Sequence, residues 1–175
     1  PGQPALSADR KASWWQDQNF AVMTLHRPSN VDSRETLEPL VDFFTQEACS
    51  RLPLVWAIHP RAESRLHEYG LWERVCANER LVLISPIGYR EMLRLNMSAR
   101  LLLTDSGGLQ EECCILGTPC VTLRANTERP ITLETHQGVS RLVGNDLSLI
   151  RSTFEEFYNK ARSPFRPDLW DGHSA

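Results

Sequence analysis

Short, nearly unbroken apolar runs recur along the chain, each closing on polar residues and most followed by a helical pattern. Phe20 to Leu25 ends at His26, Leu52 to Ile58 at His59-Pro60, and Leu81 to Ile84 at Ser85-Pro86. Leu101 to Leu103 ends at Thr104-Asp105-Ser106-Gly107-Gly108, Cys120 to Leu123 is a fifth run, and Val139 to Val143 is a weaker sixth. Leu37, Leu40, Val41, Phe44 and Ala48 recur at helical spacing, and Leu147, Ile150, Phe154, Phe157 or Tyr158, and Ala161 mark a last amphipathic helix. Arg27 to Asp32, between the first run and its helix, reads as a polar loop. Strand runs alternating with helices build βαβ units, and continuously apolar strands suit a parallel sheet covered on both faces. The expected fold is therefore α/β in three layers. Ligands of such sheets bind beyond the carboxyl ends of the strands, so the polar residues closing each run are predicted to converge on one edge.

A chain of 175 residues suffices for one domain with a full core. Residues 1–18 read as a lead-in or hinge carrying Trp14 and Trp15, and residues 19–175 as the domain. Gly172, near the end, has the setting of a further helix start. A net charge of −3 argues against a general nucleic-acid or membrane-surface binder, which needs a basic excess. No apolar run approaches the ~20 residues that span a bilayer. Pro1 to Lys11 lacks the pattern of a secretory signal, and the expected location is the cytoplasm. The five cysteines, an odd number without framework spacing, read as reduced thiols; with no C-x-x-C, zinc ligation is not expected.

The strongest local signal is the run Leu101 to Glu112, in which a strand ends, two glycines turn the chain, and a helix begins. The first turn of a helix carries unpaired N–H groups at a positive dipole end, and Gly107 and Gly108 allow an anion close to the backbone. Ser106 is placed to cap the helix or to donate to a phosphate oxygen. The same residues also suit a plain strand–turn–helix joint. Of the adjacent Glu111 and Glu112, only one can face the ligand, where it would accept from sugar hydroxyls; the alternative is a solvated helix surface. His26 has the chemistry of an acid or base and Arg27 that of a phosphate ligand. His59 puts a second histidine on the same edge, with no third metal ligand suggested by spacing. Arg124 to Pro130 brings two arginines, as surface ion pairs or as a diphosphate clamp.

Taken in order, Thr24-Leu25-His26-Arg27-Pro28-Ser29-Asn30-Val31, His59-Pro60, Thr104 to Glu112, Leu116-Gly117-Thr118-Pro119, Thr127-Glu128-Arg129-Pro130 and Leu142-Val143-Gly144 resemble the non-hydrolysing UDP-N-acetylglucosamine 2-epimerases from about residue 20 onward. The resemblance implies a Rossmann-like domain forming the C-terminal half of a GT-B-type two-domain fold, with the N-terminal domain outside this chain. It implies that Ser106, Gly107 and Gly108 hold the diphosphate of a UDP-sugar with Arg27 and Arg129 nearby, that Glu112 binds the ribose, and that Pro86 to Met92 forms the uracil pocket. His26 would be the catalytic histidine and His59 would line the cleft. It further implies no cofactor, a homodimer when complete, and interconversion of UDP-N-acetylglucosamine and UDP-N-acetylmannosamine through 2-acetamidoglucal. The acidic catalytic residues of that family lie in the other domain, so this chain by itself is expected to bind UDP weakly and not to epimerise.

Three places depart from the family pattern. His136-Gln137 sits in a loop about two residues longer, Met92 stands where an aromatic is frequent, and Cys113 and Cys114 replace small residues, reading as core fillers. A hydrolysing epimerase, a GT-B glycosyltransferase donor domain and a stand-alone nucleotide-binding module are the alternative readings.

Overall fold

The computed structural model describes residues 19–168 and 170. The lead-in with Trp14 and Trp15, and Gly172, lie outside the described residues. Six strands form one parallel sheet: β1 (Ala21–Thr24), β2 (Leu54–Ala57), β3 (Leu81–Ile84), β4 (Leu101–Thr104), β5 (Cys120–Thr122) and β6 (Ser140–Leu142). Their spatial order is β3-β2-β1-β4-β5-β6, so the order reverses between β1 and β4. Every apolar run read from the sequence becomes a strand: four are trimmed, Leu81–Ile84 is unchanged and the fourth run gains Thr104.

Alternation along each strand splits the core in two. Met23, Trp56, Leu103 and Val121 point to one face, under α2 (Arg34–Asp42), α3 (Pro60–Glu68), α4 (Trp72–Cys76) and α7 (Leu147–Tyr158). Val22, Val55, Leu102 and Cys120 point to the other, under α5 (Tyr89–Ser98) and α6 (Gly107–Leu116). On the first face Trp56 is fully buried edge-on to Phe44, and Phe43 meets Phe154 the same way, geometry that aromatic quadrupoles favour. Cys113 and Cys114 are free and fully buried, as core fillers are. No helix among the described residues is long and apolar enough to cross a membrane.

Three local features differ from the sequence reading. Arg27 to Asp32 is not a loop throughout: Pro28–Val31 forms a short helix, α1, because Pro28 supplies a helical φ at a first-turn position where its missing N–H costs nothing. The helix after it contains Pro39 and passes into a wider π-helical stretch, Phe43–Ala48, where the Thr45 hydroxyl donates to the Val41 carbonyl. α7 ends at Tyr158, so Ala161 lies outside the last helix, in a segment tied down by Arg162, which donates to the carbonyls of Asn96 and Ala99 and to Thr118, while the amides of Ser163 and Phe165 donate to Gly117 and Cys114. Gly117, the left-handed residue ending α6, is pressed against this segment; a Cβ there would lie 2.3 Å from the Pro164 nitrogen.

Candidate active site at the carboxyl edge of the sheet

β1 and β4 are neighbours, and their chains leave the sheet edge toward opposite sides, which opens a crevice at the reversal point. The Thr24 and Thr104 hydroxyls, 2.6 Å apart, join the two strand ends. Thr104 Oγ1 also accepts the Ser106 amide at 3.0 Å, which fixes the turn and uses that N–H. The next three amides, of Gly107, Gly108 and Leu109, have no acceptor among the described residues. Ser106 makes no capping bond, so its hydroxyl is also free. α6 thus presents a positive end with three open donors to the crevice.

Asp105 organises the other wall. It is fully buried, and its carboxylate accepts the amides of His26 (3.0 Å) and Arg27 (2.8 Å) and the Asn30 side-chain amide (2.9 Å). His26 Nδ1 lies 2.7 Å from Asp105 Oδ1, so the ring donates there and turns Nε2 to the crevice. Burial pushes the Asp105 carboxyl up, but the bonds from the His26 ring and from the Arg27 and His26 amides outweigh it and hold the group below its ordinary value. Asn30 Nδ2 also reaches the Leu123 carbonyl, joining α1 to the end of β5. The His59 ring is centred 5.6 Å from that of His26; its Nδ1 accepts the Arg61 amide and caps α3. The described residues contain no group of three metal-ligating side chains.

Two guanidinium groups flank the glycine corner. Arg27 donates to the Asp105 carbonyl and to Glu128 Oε1. Arg124 is 7% exposed and contacts Glu128 Oε2 at 2.5 Å, while its Nη1 is buried without a hydrogen bond. A Cβ added at Gly107 would lie 3.7 Å from that Nη1. Arg129 instead lies against Glu111, with Nε 2.5 Å from Oε1 but without hydrogen-bond alignment. Adjacent Glu112 turns the other way: one of its carboxylate oxygens is buried without a partner. Burial raises the Glu112 carboxyl above its usual range, Asn96 on α5 lowers it, and the Glu111 charge adds to the rise. Met92, half-buried on α5, packs with Ile84 and Ile87 against the cluster containing Leu109.

The structure therefore gathers His26, Arg27, Ser106, Gly107 and Gly108 in one crevice with His59 beside them. Arg129 sits one turn along α6 at Glu111, and Glu112 and Met92 belong to the α5–α6 side. Sequence reasoning assigned no role to Asp105, Asn30 or Glu128. Asp105 and Asn30 meet across 75 residues and Glu128 reaches Arg27 across 101, contacts that need the fold; only the Arg124–Glu128 pair, four residues apart, is local. Gln110 was likewise passed over; its buried Oε1 accepts the Thr127 hydroxyl and anchors the Arg124–Pro130 loop to α6.

Comparison with known proteins places this geometry. The family model described as UDP-N-acetylglucosamine 2-epimerase matches residues 3–175. A protein of that name from Methanocaldococcus jannaschii is 42% identical over 148 residues, 84% of this chain and 40% of the relative. One from Methanococcus maripaludis is 39% identical over 160 residues, 91% of this chain and 43% of the relative. Among solved structures, the M. jannaschii UDP-GlcNAc 2-epimerase in complex with UDP-GlcNAc and UDP superposes with a TM-score of 0.76 at 38% identity, covering 91% of this chain and 45% of that one. The chain thus spans less than half the length of these relatives, with the Rossmann-like architecture of one half of their GT-B-type fold. The chain belongs to the UDP-N-acetylglucosamine 2-epimerase family.

Proposed function

We propose that residues 19–175 are the UDP-binding domain, preceded by a lead-in or hinge region at 1–18, of an enzyme interconverting UDP-N-acetylglucosamine and UDP-N-acetylmannosamine. The observation that carries this reading is the set of three open amides at Gly107, Gly108 and Leu109, facing the crevice that Arg27, Arg124 and His26 enclose. The UDP-GlcNAc and UDP bound in the M. jannaschii relative support the choice of ligand.

In the proposed reaction a base removes the proton from C2 of the sugar, the C1–O bond breaks, and UDP departs with the bonding pair, leaving 2-acetamidoglucal. Re-addition of UDP and return of a proton to the opposite face of C2 complete the epimerisation. Negative charge grows on the departing diphosphate, and fixed N–H donors and guanidinium groups stabilise it without having to reorganise; His26 joins them when Nε2 also carries a proton. Ser106 adds its free hydroxyl. Glu112 receives the ribose hydroxyls, and the Pro86–Met92 segment takes the uracil. His59 lines the cleft beside His26. The C2 base comes from the other domain of the complete enzyme, so this chain binds UDP and does not turn over UDP-sugar by itself.

Calorimetric titration with UDP tests the reading. Ser106→Ala and Arg27→Ala are expected to weaken binding by about three- to tenfold each, the value of one hydrogen bond to a charged group in an open site. Equal affinity in wild type and both variants removes the site assignment. For the complete enzyme, UDP-sugar without acceptor distinguishes the alternatives: inversion at C2 with UDP-sugar retained marks this epimerase, free sugar plus UDP a hydrolysing one, and unchanged C2 a transferase.

A further inference from the structure

Glu128 shares one carboxylate between the two cations of the glycine corner. Its Oε2 contacts Arg124 at 2.5 Å and its Oε1 accepts from Arg27 Nη2 at 3.3 Å. A methyl group placed on Gly107 would lie 3.9 Å from Oε1, so the carboxylate stands at the rim of the space an anion bound to the corner amides would fill. It bonds to none of those amides. Glu128 is the carboxylate that pairs with both guanidinium groups, beside the dipole end of α6; the Asp105 carboxylate is instead taken up by the His26 ring, the Asn30 side chain and the His26 and Arg27 amides. Arg124 Nη1 remains buried and unpaired beside the corner. One carboxylate thus occupies both arginines.

The way out for this anion is open. The Glu128 side chain is 52% exposed, whereas the backbone on either side is fixed: the Thr127 hydroxyl donates to buried Gln110 and accepts the Arg129 amide. A side-chain rotation moves the carboxylate into water without moving the loop.

We infer that Glu128 is a built-in counter-anion that the ligand's diphosphate displaces, so that binding is a carboxylate-for-phosphate exchange on Arg27 and Arg124. The inference rests on the reading that a diphosphate occupies the glycine corner. The Arg124 guanidinium, with Glu128's own amide, holds this carboxyl at about 2, so the resting anion is charged at all working pH values. The exchange costs affinity, because the phosphate must replace an existing ion pair. In return it keeps the nearly buried Arg124 from standing without a counter-charge when no ligand is bound.

The test titrates UDP, inorganic pyrophosphate and uridine into the 175-residue chain and its Glu128→Gln and Glu128→Ala variants, with thermal melts to verify folding. Both variants are expected to bind UDP and pyrophosphate about tenfold more tightly, with uridine affinity unchanged. They are also expected to melt lower than wild type without ligand and to gain more from pyrophosphate. Weaker pyrophosphate binding in both folded variants overturns the inference, since Glu128 would then be orienting the arginines for the ligand. Equal pyrophosphate binding in all three proteins, or none in any, overturns it too. The nucleotide reading fails separately: tighter pyrophosphate binding without any UDP binding keeps the exchange and removes UDP. UDP binding that Ser106→Ala weakens and Glu128→Gln leaves alone keeps UDP and removes the exchange.

Discussion

Asp105→Asn is expected to lower the stability of the chain by about 3 kcal/mol and, in the complete enzyme, to reduce epimerisation at least ~10²-fold. The carboxylate sits with no exposure among the His26 and Arg27 amides, the Asn30 side chain and the His26 ring, all of them donors. An asparagine offers one acceptor oxygen and turns an NH₂ group against a remaining donor. His26 then loses the partner that fixes its Nδ1–H and aims Nε2 at the crevice, so catalysis falls further than folding. Denaturant unfolding gives the stability change, and kcat against KM in the complete enzyme gives the chemical one; a kcat unchanged in a well-folded variant removes Asp105 as the positioning residue. The pH dependence has a definite sign. Because the bonds from His26 and Arg27 hold the Asp105 carboxyl below its ordinary value, the unfolded chain takes up the proton first as pH falls. The stabilisation is complete above the unfolded value of about 4 and is lost as pH drops through the folded value. The Asn variant should lack this part of the acid limb.

Much of the fold was legible because its signals are local. A buried parallel strand needs an unbroken apolar run, and all six runs became strands. The glycine corner was legible for the same reason, since strand, turn and helix follow one another within Leu101 to Leu116. What the sequence could not show was the wiring across the crevice. Asp105 is one more polar residue at a strand end until β1 is known to lie beside β4. The Arg124–Pro130 segment showed two cations, yet burial distinguishes them: Arg124 is inside, at Gly107, and Arg129 is outside, at Glu111. The short helix α1 was read as a loop because its polar residues carry no periodicity over a single turn.

Gly107→Ala should separate ligand binding from folding. The space around Gly107 admits a methyl group at ordinary contact distances from the protein, 3.7 Å from Arg124 and 3.9 Å from Glu128. Gly107 begins α6 with no positive φ, and alanine restricts the unfolded chain. Stability is therefore expected to stay level or to rise by up to about 1 kcal/mol. The same methyl group stands where the proposed diphosphate would meet the open amides, so UDP affinity is expected to fall about 10²-fold, the loss of two charge-assisted bonds. A variant that melts no lower than wild type and binds UDP just as well would place the ligand elsewhere.

The amides themselves offer the most direct measurement. In ¹⁵N-resolved NMR spectra of the chain titrated with UDP, the Gly107, Gly108 and Leu109 resonances should move in step with one another, among the largest shifts in the spectrum, and plateau at saturation. UDP that binds to saturation while those three amides stay where they were would contradict the assignment of the diphosphate to the N-terminus of α6.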